Sequence, residues 1–311
     1  IHMPQAVKEI IERLEGAGFE AFAVGGCVRD AVLGREPADW DITTSALPLE
    51  VKALFSRTID TGLQHGTVTV MRDHVGYEVT TYRIDGTYTD GRHPEQVTFT
   101  SNLVEDLKRR DFTINAMAYN DRSGIVDVFG GVDDLNNKVI SCVGIAEERF
   151  TEDALRMLRA VRFSAQLGFS IDKATQAAII KLAPNLSHIS AERIQTELVK
   201  LLVSPNPDFM RVAYELGITK IVLPELDKAF ETAQNNPHHI YNVGEHMMHV
   251  LTNIRDDKAL RIAALLHDIG KPDTKTTDDQ GIDHFHGHAQ VGEKMSEKIL
   301  RRLKFDTDTI T

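Results

Sequence analysis

The chain is predicted to be α+β: a mixed, largely antiparallel sheet with its own helices comes first, and an all-α portion follows. Two observations carry this. Between Phe19 and Phe129, short β-branched and aromatic runs alternate with glycine-bearing turns and brief helical stretches, the pattern of a sheet with interspersed helices. From Ala146 the apolar residues recur at helical spacing almost to the end. At 311 residues the chain can hold two or three domains around ample cores. No apolar run approaches the ~20 residues of a membrane span, so no membrane partner is expected. A net charge of -11 argues against a protein that coats nucleic acid indiscriminately. It leaves room for a local basic track, and cations do cluster at Lys108-Arg109-Arg110 and at Arg156, Arg159 and Arg162. The two cysteines, Cys27 and Cys142, offer neither a disulfide framework nor metal spacing. They read as small buried residues, and with no signal peptide in view the expected compartment is the cytoplasm. Ile1-His2-Met3 reads as a cloning remnant.

The elements follow in order. Pro4 to Gly16 is an amphipathic helix with Val7, Ile10, Ile11 and Leu14 on one side. Phe19 to Val24 reads as a short buried strand that runs into Gly25-Gly26. Two glycines there permit a sharp turn and leave no Cβ to keep a ligand away. Cys27 to Leu33 is a short helix closed by Gly34, and its N-terminus favours phosphate. Asp39-Trp40-Asp41 then enters Ile42-Thr43-Thr44. As a strand, period two sets both aspartates side by side on one face. Crowded carboxylates repel, and a hard divalent cation such as magnesium relieves them. A phosphate turn beside a metal-binding acid pair suggests nucleotidyl transfer.

Pro48 to Ser56 is helical, and Thr67–Met71 with Tyr77–Arg83 should form a hairpin about Asp73–Gly76. Glu78 is either a third metal carboxylate or a solvated strand-face residue. Ile84 to Gln96 is polar and glycine-bearing and reads as a mobile loop. Asn102 should cap a helix through Arg109, and Ile114 to Tyr119 reads as a strand. Ile125 to Leu135 closes the sheet and turns into helix. Beyond Ala146, Thr151 should cap a helix from Glu152 that stops at Gly168. On it Asp153 and Arg156 stand three apart and so share a face.

G25-G26-C27-V28-R29-D30-A31-V32-L33-G34 with D39-W40-D41 resembles the first motif of the class II tRNA nucleotidyltransferase (CCA-adding) and bacterial poly(A) polymerase family. The stretch V104 to A118, containing R110-D111-F112-T113-I114-N115-A116, resembles its second motif, and Ile125–Leu135 its third, a head–neck hinge. E152-D153-A154-L155-R156 resembles the fourth and S190 to K200 the fifth. The resemblance spans roughly residues 8 to 200. It implies a nucleotidyltransferase-fold head (4–145), a helical neck (146–203) and a helical body (204–311). It also implies a template-independent enzyme that adds C-C-A to tRNA 3′ ends from CTP and ATP. Asp39 and Asp41 would be the catalytic magnesium ligands. Gly25, Gly26, Arg29, Arg110, Asp111 and Asn115 would hold the nucleotide's sugar and phosphates. Asp153 and Arg156 would read the base, Arg159 and Arg162 would also bind the nucleotide, and Arg193 would support the site. An A-adding enzyme or a poly(A) polymerase shares most of these features.

Most of the thirteen histidines fall between His238 and His288. His246, the pair His267-Asp268 and His288 resemble the ligands of an HD-type metal phosphohydrolase, implying a second site for manganese, nickel, zinc or iron. Such a module, with the head secondary, would make the chain a phosphohydrolase. The closing aspartate of that pattern is missing unless Asp306 or Asp308 supplies it, so either the chain stops short of its natural C-terminus or the metal site is incomplete.

Overall fold

A computed structural model describes residues 1–85, 97–234 and 242–310, without the side chains of Asp85, Thr307 and Asp308. The loop expected over 84–96 therefore lies almost wholly outside the described residues. Two compact units adjoin in sequence at Glu152 and Asp153.

In the first unit, α1 (Gln5–Gly16) buries Val7, Ile10, Ile11 and Leu14, as its periodicity predicts. Each such side chain contributes ~1.5–3 kcal/mol relative to exposure, well above any helix propensity. Then come β1 (Ala21–Val24), α2 (Gly26–Val32), β2 (Asp41–Thr44), α3 (Pro48–Leu54), β3 (Thr58–Gly62), β4 (Thr67–Arg72) and β5 (Val75–Thr81). After β6 (Arg83–Asp85) and β7 (Val97–Phe99), which pair with each other, follow α4 (Leu103–Lys108), β8 (Ala118–Asn120), β9 (Gly124–Val126), α5 (Gly131–Asn137) and α6 (Ala146–Glu152). A seven-stranded sheet runs in the order β3-β4-β5-β2-β1-β8-β9. Its β2–β5 pair is parallel, and the other neighbours are antiparallel. The mixed, largely antiparallel sheet is thus as expected. Phe22, Val24, Tyr82, Leu103, Leu107 and Ala118 pack into a core beneath it, with Val126 and Phe129 against them.

Several local expectations change. β1 starts only at Ala21, because Phe19 still donates its N–H to the Leu14 carbonyl of α1. β2 starts at Asp41, leaving Asp39 just ahead of the ladder. The β4–β5 turn is tighter than expected: Asp73 and His74 both take positive φ (50° and 64°), as a two-residue primed hairpin turn requires. Edge strand β3 has no sequence signature, its residues being mostly exposed. Ile114–Asn115 belong to a 3₁₀ turn (Thr113–Asn115), so only Ala118–Asn120 is strand. The apolar run there reflects burial inside a turn, which periodicity cannot tell from a buried strand.

The second unit is helical apart from short strands such as the ribbon Thr276–Thr277 with Asp283–His284. It contains α7 (Leu155–Leu167), α8 (Lys173–Leu182), α9 (Ala191–Leu202), α10 (Met210–Glu215), α11 (Thr219–Val222) and α12 (Pro224–Phe230). Then come α13 (Val243–Thr252), α14 (Lys258–Leu266), α15 (Lys271–Thr274) and α16 (His288–Arg302). Side chains of Asp172, Ser190, Asn242 and Asp257 cap α8, α9, α13 and α14, and Gly168 ends α7 in the left-handed region. Thr151 does not cap α7. It lies inside α6, its hydroxyl donating to the Glu147 carbonyl at 2.7 Å, and the helix restarts at Leu155. Among the described residues no helix is long and apolar enough to cross a membrane.

Candidate functional site

The register of the sheet assembles the first site. Val24, the last residue of β1, faces Asp41 on β2 and Ala118 on β8. The chain then turns at Gly25 (φ 82°), whose N–H donates to the Met117 carbonyl at 3.1 Å. A Cβ on Gly25 would lie 3.4 Å from Arg110 Nη1, and one on Gly26 would lie 3.4 Å from Arg29 Nη2. The glycines therefore let two guanidinium groups close on the backbone. Arg29 Nη1 donates to Asn115 Oδ1 at 2.7 Å, and Asn115 Nδ2 donates to Asp111 Oδ1 at 3.4 Å. Gly25, Gly26, Arg29, Arg110, Asp111 and Asn115, widely spaced in sequence, thus form one cluster. Such a set offers forked cationic donors for phosphate and acceptors for sugar hydroxyls. α2 is only seven residues long, so the guanidinium groups outweigh its dipole.

Asp39 and Asp41 are exposed on either side of buried Trp40, so the alternation holds even though the ladder begins at Asp41. Both line a recess of about 550 Å³ with Pro4, Trp40, Tyr77 and Glu78. Burial of its surroundings raises the pKa of Asp41, Glu78 and Asp39 raise it further, and Arg110 opposes them. Three carboxylates gathered in one recess, with the ionised form of Asp41 disfavoured, are a donor set suited to a hard divalent cation. Glu78, the less favoured candidate from sequence, shares the recess through the parallel β2–β5 pairing.

Asp106, which the sequence reading passed over, has no exposed surface. It accepts from Thr43 Oγ1 (3.1 Å), Arg83 N (3.0 Å) and Arg110 Nη2 (3.2 Å), with Arg109 Nε at 3.4 Å. Burial works against its charge, yet Arg110 and then Arg109 hold its pKa below the usual carboxylate value. Its spacing of four from Arg110, just past the end of α4, was the available signal. Cys27 is buried, its thiol pushed up to about 11 mainly by burial, and Cys142 is buried too. Neither is a nucleophile.

In the second unit Asp153 is not on a helix face. It sits in the break before α7, where Oδ1 accepts the Leu155 N–H at 3.1 Å. Arg193 of α9 grips the same carboxylate, Nη2 to Oδ2 at 2.8 Å and Nη1 to Oδ1 at 3.4 Å. Arg156 follows one turn on and is largely buried. Arg162 makes a buried two-pronged pair with Glu197 (2.7 and 3.2 Å), and Arg159 lies 3.7 Å from the same glutamate. Glu197 gave no local signal, being 35 residues away.

The histidine cluster also assembles. His246 Nε2 of α13 and His267 Nε2 stand 3.2 and 3.0 Å from Asp268 Oδ2, and His288 Nε2 is 3.6 Å from Oδ1. Ligand atoms of His246, His267 and Asp268 lie within 4.8 Å of one another. Asp268 Oδ2 is buried without a well-formed hydrogen bond, although Lys271 Nζ lies 3.0 Å away. An imidazole–carboxylate set with an orphaned buried oxygen fits a transition metal. Gly270 makes the geometry possible: a Cβ there would collide with the His288 carbonyl and the backbone of Gly292. His284 pairs with Asp278 and stacks on His286, away from this set. Asp306 caps the last turn through Thr309, and the side chain of Asp308 is outside the described residues.

Parts of the chain match known protein families. Residues 21–141 match the family model "Poly A polymerase head domain", 168–230 "Probable RNA and SrmB- binding site of polymerase A", and 238–311 "HD domain". A CCA-adding enzyme of Leuconostoc mesenteroides subsp. mesenteroides is 57% identical over 194 residues, 62% of this chain and 48% of that protein. One from Geobacillus kaustophilus is 55% identical over 196 residues, 63% of this chain and 48% of that protein. The chain therefore spans about half the length of these curated relatives. The crystal structure of the Bacillus stearothermophilus CCA-adding enzyme in complex with CTP superposes with a TM-score of 0.71 at 37% identity, covering 96% of this chain and 71% of that one.

Proposed function

Because this chain belongs to the CCA-adding enzyme and poly(A) polymerase family, we propose that it is a template-independent RNA nucleotidyltransferase, adding C-C-A to tRNA 3′ ends from CTP and ATP. The observation that carries the reading is the recess in which Asp39, Asp41 and Glu78 gather beside Arg110 and the Gly25 turn. Asp39 and Asp41 would hold magnesium, with Glu78 alongside. Bound there, magnesium supplies the positive charge that acidifies the RNA 3′-hydroxyl and steadies the departing pyrophosphate. Arg29 and Arg110 hold the triphosphate by charge-assisted hydrogen bonds, and Gly25 and Gly26 let it approach the backbone. Asp111 and Asn115 orient the sugar. Asp153 offers acceptors and Arg156 a donor fork to the base edge, a protein substitute for a template strand. Arg193 fixes Asp153, and the Glu197 pair fixes Arg159 and Arg162. Catalysis in this scheme is positioning and charge neutralisation. The helical unit meets tRNA through shape and phosphates, and the work belongs to the cytoplasm.

The test is direct. The protein is incubated with magnesium, a tRNA lacking its 3′ end, and CTP or ATP singly and together, and the products are sequenced. C-C-A is expected. A single A added only to a C-C end would make it an A-adding enzyme, and a long A tail a poly(A) polymerase. No extension at all would overturn the reading. One observation favours a second activity: the orphaned Asp268 Oδ2 among His246, His267 and His288 suits a metal that activates water for phosphoester hydrolysis. Phosphate release from 2′,3′-cyclic nucleotides, lost on His267→Ala but kept on Asp39→Ala, would assign it to that cluster.

A further inference from the structure

We infer that Asp106 is a positioning residue for nucleotide binding, acting through Arg110. This deepens the reading of the recess as a nucleotide site and rests on it. A carboxylate with no exposed surface loses its hydration and persists only where cations and hydrogen-bond donors replace water. Here the replacements come from three separate segments. Thr43 lies on β2, two residues beyond Asp41; Arg83 opens β6; and Arg109 and Arg110 directly follow α4. One buried acid therefore joins the strand that carries the metal-binding aspartate to the arginine that faces the glycine turn.

The consequence falls on Arg110. Asp106 holds Nη2 at 3.2 Å, while Nη1 points at Gly25, 3.4 Å from where a Cβ would stand. Arg110 Nε is buried and takes no partner among the described residues. The guanidinium is thus anchored along one edge, with Nη1 presented to the turn. A free arginine would lose rotamer freedom each time it gripped a phosphate, and anchoring it beforehand removes that cost from binding. Apolar packing would serve mere stability at this joint at least as well as a buried ion pair. A carboxylate there is explained by what it aims.

The experiment is a double-mutant cycle on the intact chain, read by equilibrium dialysis of CTP and ATP with magnesium. Asp106→Asn keeps the shape but removes the charge. It is expected to weaken binding of both nucleotides about ten- to hundredfold, the loss of a charge-assisted contact, with affinity for a tRNA lacking its 3′ end unchanged. In an Arg110→Gln background the same replacement should change nucleotide binding less than about twofold, since a residue acting through Arg110 has nothing left to act on. Fully additive effects, or wild-type affinity in Asp106→Asn, overturn the inference. If Asp106→Asn does not fold, Thr43→Val loosens the same anchor, and the cycle is read with it under the same criteria. Failure of the wild-type chain to bind either nucleotide would instead remove the underlying reading of the recess.

Discussion

Asp41 is held where burial, Glu78 and Asp39 all disfavour its ionised form, and Arg110 compensates only in part. The direction of that shift gives a stability prediction. A carboxyl whose folded pKa is raised binds its proton more tightly folded than unfolded, so stability falls as pH rises through the interval between the two values. The handicap is complete above the folded pKa and absent well below the unfolded value of about 3.9. Asp41→Asn should therefore melt at a higher temperature than the wild type at pH 7 in a chelator, with the gap closing toward pH 3, while losing nucleotide transfer. Calorimetry across pH measures this. An unchanged or lowered melting temperature at pH 7 would mean that the charge on Asp41 is not a handicap to the fold.

At the scale of elements, the break between α6 and α7 governs the base-reading pair. Asp153 sits in that break and not on a helix face, so its orientation depends on the Leu155 N–H and on the Arg193 fork from α9. Arg193→Ala should release it. Misincorporation of UMP and GMP is expected to rise about tenfold, within the ~1–3 kcal/mol that a bidentate base contact discriminates, with tRNA affinity preserved. Single-nucleotide extension assays read both, and intact base choice would separate Arg193 from selection. This element also marks the limit of what the sequence discloses. Asp153, Arg156 and Arg193 could be singled out as candidates because they fall in stretches that resemble family motifs, since an acid and an arginine three apart are by themselves an ordinary helix pair. Their local backbone was not, since a helix restarting after two residues keeps nearly the same periodicity. β3 escaped notice for a different reason: an exposed edge strand buries neither face and leaves no alternation. Asp106 was missed because helical spacing alone does not distinguish a buried acid from a solvated one.

Carboxylates beside arginines occur in both units, and the imidazoles around Asp268 lie within the second. Most helices followed from apolar periodicity and caps, which act locally, whereas the order of strands in the sheet did not. The pairing of Arg162 with Glu197 and the gathering of His246, His267 and His288 depend on long-range packing that no short window of sequence contains. One further property belongs to the molecule as a unit. Its sole tryptophan is Trp40, the residue between Asp39 and Asp41 and among those that line the recess. The protein thus has an intrinsic optical probe at the point where cation and nucleotide are expected, with no second indole to dilute the signal. Adding magnesium and then CTP should shift its emission in saturable steps. Asp39→Asn should abolish the first step, and silence in the wild type would mean that neither ligand reaches the indole.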